Sequence, residues 1–195
     1  MGRVHGGVLS LWLSRKRLEM GRPHLQGRVL DYGCNDGPLT EMCQPEAYIG
    51  VDINARSLDL AREAHPGFRF ATAVSDRERF DTVAAFAFIE HVHDPATWLA
   101  RFASLLEPDG RIVLTTPHPS LEWAHTLGAR LNLFSSDAHE EHEELLDRKR
   151  LQELAAGAGL VVEVYKRFLF GANQLVVLRR GNGSRVSDGG GSGQP

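Results

Sequence analysis

Along residues 28–180 the apolar positions keep switching between two spacings, short alternating or continuous runs and longer stretches in steps of three and four. The short runs Arg28–Tyr32, Ala47–Asp52, Phe68–Ala73, Phe80–Ala87 and Arg111–Thr115 read as strands. Between the first two, Pro38 opens a helix carrying Leu39, Met42 and Cys43 at helical spacing. Asn54 caps a second helix with Leu58, Leu60, Ala61 and Ala64 on its buried side, ended by His65-Pro66-Gly67. Asp94-Pro95 starts a third, whose apolar stripe is Trp98, Leu99, Phe102, Leu105 and Leu106, and Pro108-Asp109-Gly110 turns the chain into the fifth strand. A helix over Leu145–Ala158, closed by Gly159, precedes two last strands, Leu160–Phe168 and Asn173–Leu178, around a turn at Gly171-Ala172.

Strand–helix alternation at this spacing predicts an α/β fold, a doubly wound, mostly parallel seven-stranded sheet with helices on both faces. The last two strands are too close in sequence for a crossover, so they form an antiparallel hairpin at one edge. The expected layout is an N-terminal helical cover over 1–26, a main α/β domain over 27–180, and a disordered Gly/Ser-rich tail over 181–195. In the cover, Leu9, Leu11, Trp12 and Leu13 precede Arg15-Lys16-Arg17; the tail has no large apolar side chain except Val186. A second apolar segment, Ser120–His142 with Trp123, Leu127, Leu131, Leu133 and Phe134, is placed to form a lid.

Composition narrows the class. The 195 residues are 42% apolar and 24% charged, enough for a sizeable core. Lys+Arg 22 against Asp+Glu 25 gives −3, which offers no case for a nucleic-acid binder. The charge is uneven: residues 1–28 carry six basic side chains against Glu19 alone, leaving −8 for the rest. That basic stretch is marginal for contact with a membrane surface, and a cover is the favoured reading. Cys34 and Cys43 are the only cysteines, too few for a disulfide framework or a cysteine-built zinc site. No apolar run is long enough to span a bilayer, and a cytoplasmic location is expected.

In a doubly wound sheet ligands bind beyond the carboxyl ends of the strands, where strand order reverses. Tyr32, Asp52, Phe86 and Thr116 mark those ends. Gly33 follows the first strand, where a missing Cβ lets a ligand reach the backbone, and Gly37 eases the turn into the next element. Asp52 ends the second strand, placed to accept both hydroxyls of a ribose and to repel a ribose 2′-phosphate. The loop Gly33-Cys34-Asn35-Asp36-Gly37 is one residue short of a dinucleotide fingerprint, and Asp36 would repel a diphosphate. An adenosine ligand without phosphates fits better.

With these residues in place, the chain resembles the class I S-adenosylmethionine-dependent methyltransferases over about Gly27–Arg180. VLDYGCNDG is similar to their first motif, YIGVDIN to the second, FDTVAAFAFIEHVHDP to the fourth, and LLEPDGRIVLTTPHP to the stretch through the fifth strand. The E-H-V-x-D-P phrase and T-P-x-P ending most resemble ubiquinone-biosynthesis-like O-methyltransferases and small bacterial relatives. The resemblance implies a Rossmann-like methyltransferase fold, S-adenosyl-L-methionine as cofactor, and a small-molecule acceptor methylated at oxygen. It implies that Asp31 and Gly33 hold the methionine end, Asn35 and Gly37 shape the loop, and Asp52 grips the ribose. Ile53 would lie against adenine, and Phe86 and Ala87 would approach the methionyl part. Two departures stand out: Asn35 replaces the usual middle glycine, and the third strand lacks its usual terminal acid, for which Asp76 is the nearest substitute.

Some relatives bind a metal through E-x-x-E-H. Here the phrase is Ala87-Phe88-Ile89-Glu90-His91, so a hard oxygen ligand is missing and no metal is expected. Methylation at O–H or N–H benefits from a base that titrates near neutrality, and His91 or His118, just beyond the fourth and fifth strands, is the candidate. Two rival readings are an inactive binding module of the same fold and an NAD-binding oxidoreductase.

Overall fold

A computed structural model describes residues 8–119 and 146–181. Helix α1 (Val8–Gly21) is followed by the strands β1 (Val29–Tyr32), β2 (Tyr48–Val51), β3 (Arg69–Ala71), β4 (Phe80–Phe86), β5 (Leu106–Pro117), β6 (Leu160–Phe168) and β7 (Asn173–Arg180). Three further helices intervene, α2 (Ala55–Ala64), α3 (Pro95–Ser104) and α4 (Arg148–Gly157). The strands form one seven-stranded sheet in the order β3-β2-β1-β4-β5-β7-β6. Pairings from β3 to β5 are parallel, and β7 inserts antiparallel between β5 and β6. The chain runs outward from β1 to β3, then returns to β4 on the other side of β1, so strand order reverses at the β1–β4 seam.

Successive strand residues point to opposite faces. Leu30, Ile49, Val51, Val83 and Ala85 pack with Leu99 and Phe102 of α3 and Leu151 and Leu154 of α4. Val29, Tyr48, Phe70 and Ala84 pack on the other face with Leu58 and Ala61 of α2 and Leu18 of α1. Both expected caps are present: Asn54 accepts from the amides of Arg56 and Ser57, and Asp94 accepts from Thr97.

Three elements differ from the sequence expectation. Pro38–Met42 is a five-residue 3-10 helix rather than an α-helix, because Cys43 is already extended and Pro45 follows. Strand β5 begins at Leu106 instead of Arg111: Phe80 pairs with Leu106 and Thr82 with Arg111, so Glu107–Gly110 bulge out within the strand. Strand β3 is shortened to three residues. The proposed lid over 120–142 and the tail beyond Gly181 lie outside the described residues.

Candidate active site at the carboxyl ends of β1, β2 and β4

The turn after β1 is clamped to its neighbour: the amides of Gly33 and Cys34 both donate to the Val51 carbonyl, at 2.8 and 3.0 Å. Gly33 has φ +76°, and a Cβ there would stand 3.0 Å from the Phe88 ring, so neither strain nor space favours a side chain. Asn35 also takes the left-handed region, φ +49°, which asparagine tolerates better than most residues. At the end of the turn the Thr40 hydroxyl donates to the Gly37 carbonyl at 2.6 Å and meets His65 Nδ1 at 3.0 Å, tying the loop to the end of α2.

Asp52 organises this rim. Its Oδ2 accepts the Asn35 amide at 2.9 Å and its Oδ1 accepts the Asn54 amide at 2.8 Å. One carboxylate thus bridges the β1 turn and the start of α2. Each of its oxygens keeps a further lone pair, which two vicinal hydroxyls can use. Ile53 beside it is 90% exposed, an apolar side chain left open next to this carboxylate.

Asp31 lies deeper, 4% exposed, with Oδ2 accepting the Tyr48 hydroxyl at 2.8 Å. Tyr48 pairs with Val29, and the same-face diagonal brings its ring to Asp31, a partner the sequence reading did not name. Burial pushes the Asp31 carboxyl up to about 7; the Tyr48 hydrogen bond opposes the shift, and the nearby charge of Asp52 adds to it. Burial also pushes the Cys34 thiol up, which keeps it an inert core group.

Phe86 closes β4, and its ring lies against Gly21 at the end of α1, where a Cβ would clash at 2.3 Å. Ala87 follows with φ +50° and donates its amide to the Thr115 carbonyl at 2.8 Å. Asp31, Gly33, Asn35, Gly37, Asp52 and Ile53 therefore gather around the β1 and β2 ends, with Phe86 and Ala87 across the seam. Asp76 is 81% exposed and ion-paired with Arg101 of α3.

The two histidines stand apart in kind. His91 is exposed, in the turn after β4. His118 is half-buried and donates its amide to the Ala172 carbonyl in the β6–β7 turn at 2.9 Å. Burial lowers the basicity of the His118 ring; Arg167 lowers it further, and Asp147 opposes both. Sequence reading gave less weight to Glu90, which is 9% exposed with its Oε2 lacking a hydrogen-bond partner; burial pushes its carboxyl up, and Thr116, His91 and Arg17 oppose the shift. Among the described residues no group of three or more His, Cys, Asp or Glu side chains is gathered to hold a metal ion.

A sheet of this order, with a glycine turn and a strand-end carboxylate at its carboxyl rim, defines a Rossmann-like nucleoside-binding protein. The chain belongs to the methyltransferase-domain family that matches residues 10–164, and so to the class I S-adenosylmethionine-dependent methyltransferases. It is 32% identical over 159 residues to a ubiquinone biosynthesis O-methyltransferase of Alkalilimnicola ehrlichii, covering 73% of this chain and 64% of that protein. To the enzyme of the same name from Aeromonas salmonicida it is 27% identical over 151 residues, 69% of this chain and 63% of that one. The chain thus spans somewhat under two thirds of the length of these curated relatives. Among solved structures its fold is similar to magnesium protoporphyrin IX methyltransferase from Synechocystis, crystallised with S-adenosylhomocysteine. There the TM-score is 0.67 at 15% identity, covering 92% of this chain and 90% of that one.

Proposed function

We propose that the chain is a methyltransferase that uses S-adenosylmethionine to methylate an oxygen of a small-molecule acceptor. The observation that carries this reading is Asp52, held by two backbone amides at the end of β2 beside the exposed Ile53 and the left-handed Gly33 turn. The names of the related O-methyltransferases favour oxygen as the acceptor atom. In this reading Asp52 takes the ribose hydroxyls, Ile53 lies against the adenine, and the Gly33 backbone and Asp31 take the methionine end. Asn35 and Gly37 hold the loop in shape, and Phe86 and Ala87 border the sulfur. When bound, S-adenosylmethionine supplies a methyl group already made electrophilic by a sulfonium. The task left to the chain is to align the acceptor oxygen and keep water out. Helix α1 covers the β4 end through Gly21 on Phe86, and His91 and His118 flank the side from which an acceptor enters. Calorimetry with S-adenosylhomocysteine, followed by mass-spectrometric screening of hydroxylated aromatic acceptors, tests the proposal; a folded chain that binds no S-adenosylhomocysteine rejects it.

Asp31 gives a pH signature. Its carboxyl is neutral below about 7 in the free protein, whereas the ammonium of the methionine end selects the ionised form. Apparent affinity scales with the fraction in the competent state, so S-adenosylhomocysteine should bind about tenfold more weakly at pH 6 than at pH 8. Stability of the free protein runs the other way. The folded state holds the Asp31 proton more tightly than the unfolded chain, so this group's contribution is full below about 4 and fades as pH rises towards 7. Titration calorimetry and thermal melts across this range check both slopes, and parallel slopes contradict the assignment.

A further inference from the structure

Beyond the cofactor rim, four polar side chains from four elements meet over the ends of β4, β5 and β7. Glu90 sits in the turn after β4 and Thr116 near the end of β5; Asn173 begins β7 and Arg17 comes from the last turns of α1. Asn173 pairs with Pro117 in register, which puts it one residue from Thr116 along β5. The Arg17 Nε donates to Asn173 Oδ1 at 3.0 Å. The Thr116 hydroxyl acts on the Glu90 carboxylate, yet Glu90 Oε2 is buried with no partner. Arg17 and Glu90 act on each other electrostatically, each opposing the effect of the other's burial, but they close no direct ion pair.

A buried carboxylate oxygen without a donor keeps its desolvation cost uncompensated, so such an atom is unusual unless something else completes it. Glu90 Oε2 is an acceptor left open, and Arg17, whose charge acts on that carboxylate as His91's does, has guanidinium N–H groups beyond the one it gives Asn173. The group that satisfies both is one that gives a hydrogen bond to the carboxylate and receives one from the guanidinium. A hydroxyl does this; an amine cation would be repelled by Arg17, and a carboxylate by Glu90. Glu90 follows Phe86 by four residues, and the Phe86 ring touches Gly21, one turn beyond Arg17 on α1. The pair therefore borders the same strand end as the proposed methyl-transfer site.

We propose that Glu90 and Arg17 form the acceptor subsite, with Glu90 taking the proton of the hydroxyl to be methylated and Arg17 holding its oxygen. This rests on the O-methyl transfer reading. The hydroxyl O–H bond breaks and its proton passes to Glu90 Oε2. The oxygen then forms its bond to the methyl carbon while the carbon–sulfur bond breaks, leaving that electron pair on sulfur. Arg17 stabilises the oxygen while it is anionic, and the proton leaves Glu90 for solvent once the ether is formed. The substrate class is a small molecule with an acidic hydroxyl, such as a phenol, rather than an amine.

The test uses 4-nitrocatechol, whose ionised form absorbs in the visible, titrated into the full chain saturated with S-adenosylhomocysteine at a pH where the free probe is mostly protonated. The probe should bind to the wild-type complex in its ionised form. Glu90→Gln should bind it without the visible band, and Arg17→Gln should bind it about tenfold more weakly. Glu90→Asp and Arg17→Lys, which keep the charges, should fall between, and they carry the comparison if a neutral variant fails to retain S-adenosylhomocysteine. A wild-type complex that leaves the probe unbound or protonated, or variants that match it, overturns the subsite while leaving cofactor binding intact. Loss of S-adenosylhomocysteine binding by the wild-type chain itself rejects the function reading, and the subsite with it.

Discussion

Asp52→Ala should lower affinity for S-adenosylhomocysteine by a hundredfold or more while leaving the fold standing. Two ribose hydroxyls bonded to an ionised carboxylate contribute about 1.5–3 kcal/mol each, and every 1.4 kcal/mol is about a factor of ten in affinity. The substitution also frees the Asn35 and Asn54 amides, which Asp52 now receives at 2.9 and 2.8 Å. With its anchor gone, the left-handed Asn35 turn loosens, and part of the loss will appear as an ordering cost on binding. Both amides sit in exposed segments where water replaces the lost acceptor, so thermal stability should change little. Asp52→Asn, which keeps the shape but not the charge, should fall between, at about tenfold. Unchanged affinity in calorimetry would remove the ribose assignment.

The second large effect concerns stability. Gly50 lies buried in the middle of β2, opposite Asp31 of β1 and Phe70 of β3. A Cβ there would come within 2.7 Å of Phe70 Cδ1, 2.8 Å of the Tyr48 hydroxyl and 2.9 Å of Cys34 Sγ. All three belong to well-packed buried residues, and the Tyr48 hydroxyl is the group that serves Asp31. Overpacking of this kind costs about 2–3 kcal/mol, a fall of about 5–10 °C in Tm for a chain of this size. Gly50→Ala should therefore melt well below the wild type. Adding Phe70→Leu should recover part of the loss by opening space on the β3 side, and a Gly50→Ala chain that melts with the wild type contradicts the packing described here.

The strands and caps were legible because their signals are local. Val29–Tyr32 and Tyr48–Val51 are short apolar runs bounded by turn residues, and Asn54 and Asp94 cap helices by reaching amides two or three residues ahead. The closing hairpin followed from the few residues between β6 and β7. Distinctions that depend on partners elsewhere were not legible. The tail of α3 runs straight into β5 because Phe80 offers Leu106 a pairing partner, and nothing near Pro108 announces that. Gly33 and Asp52 could be read as a pair, since a turn glycine and a strand-end acid occupy fixed positions in adjoining units. The Tyr48 hydroxyl on Asp31 needed the strand register, and the approach of Arg17 to Glu90 needed α1 to be placed over the sheet. Local letters state what a residue can do; only the packing states which distant group completes it.

Among the described residues the order β3-β2-β1-β4-β5-β7-β6 leaves two strands with one side unpaired, and each is defended differently. At one border β3 offers only three residues, too short a template for a foreign strand to zip onto. At the other, β6 is long, but its pairing slips between Val162 and Val164, and it carries Glu163, Lys166 and Arg167 along its length. An irregular, charged margin is a poor seed for edge-to-edge aggregation. Among the described residues, each margin of the sheet is thus blunted by its own length, register or charge.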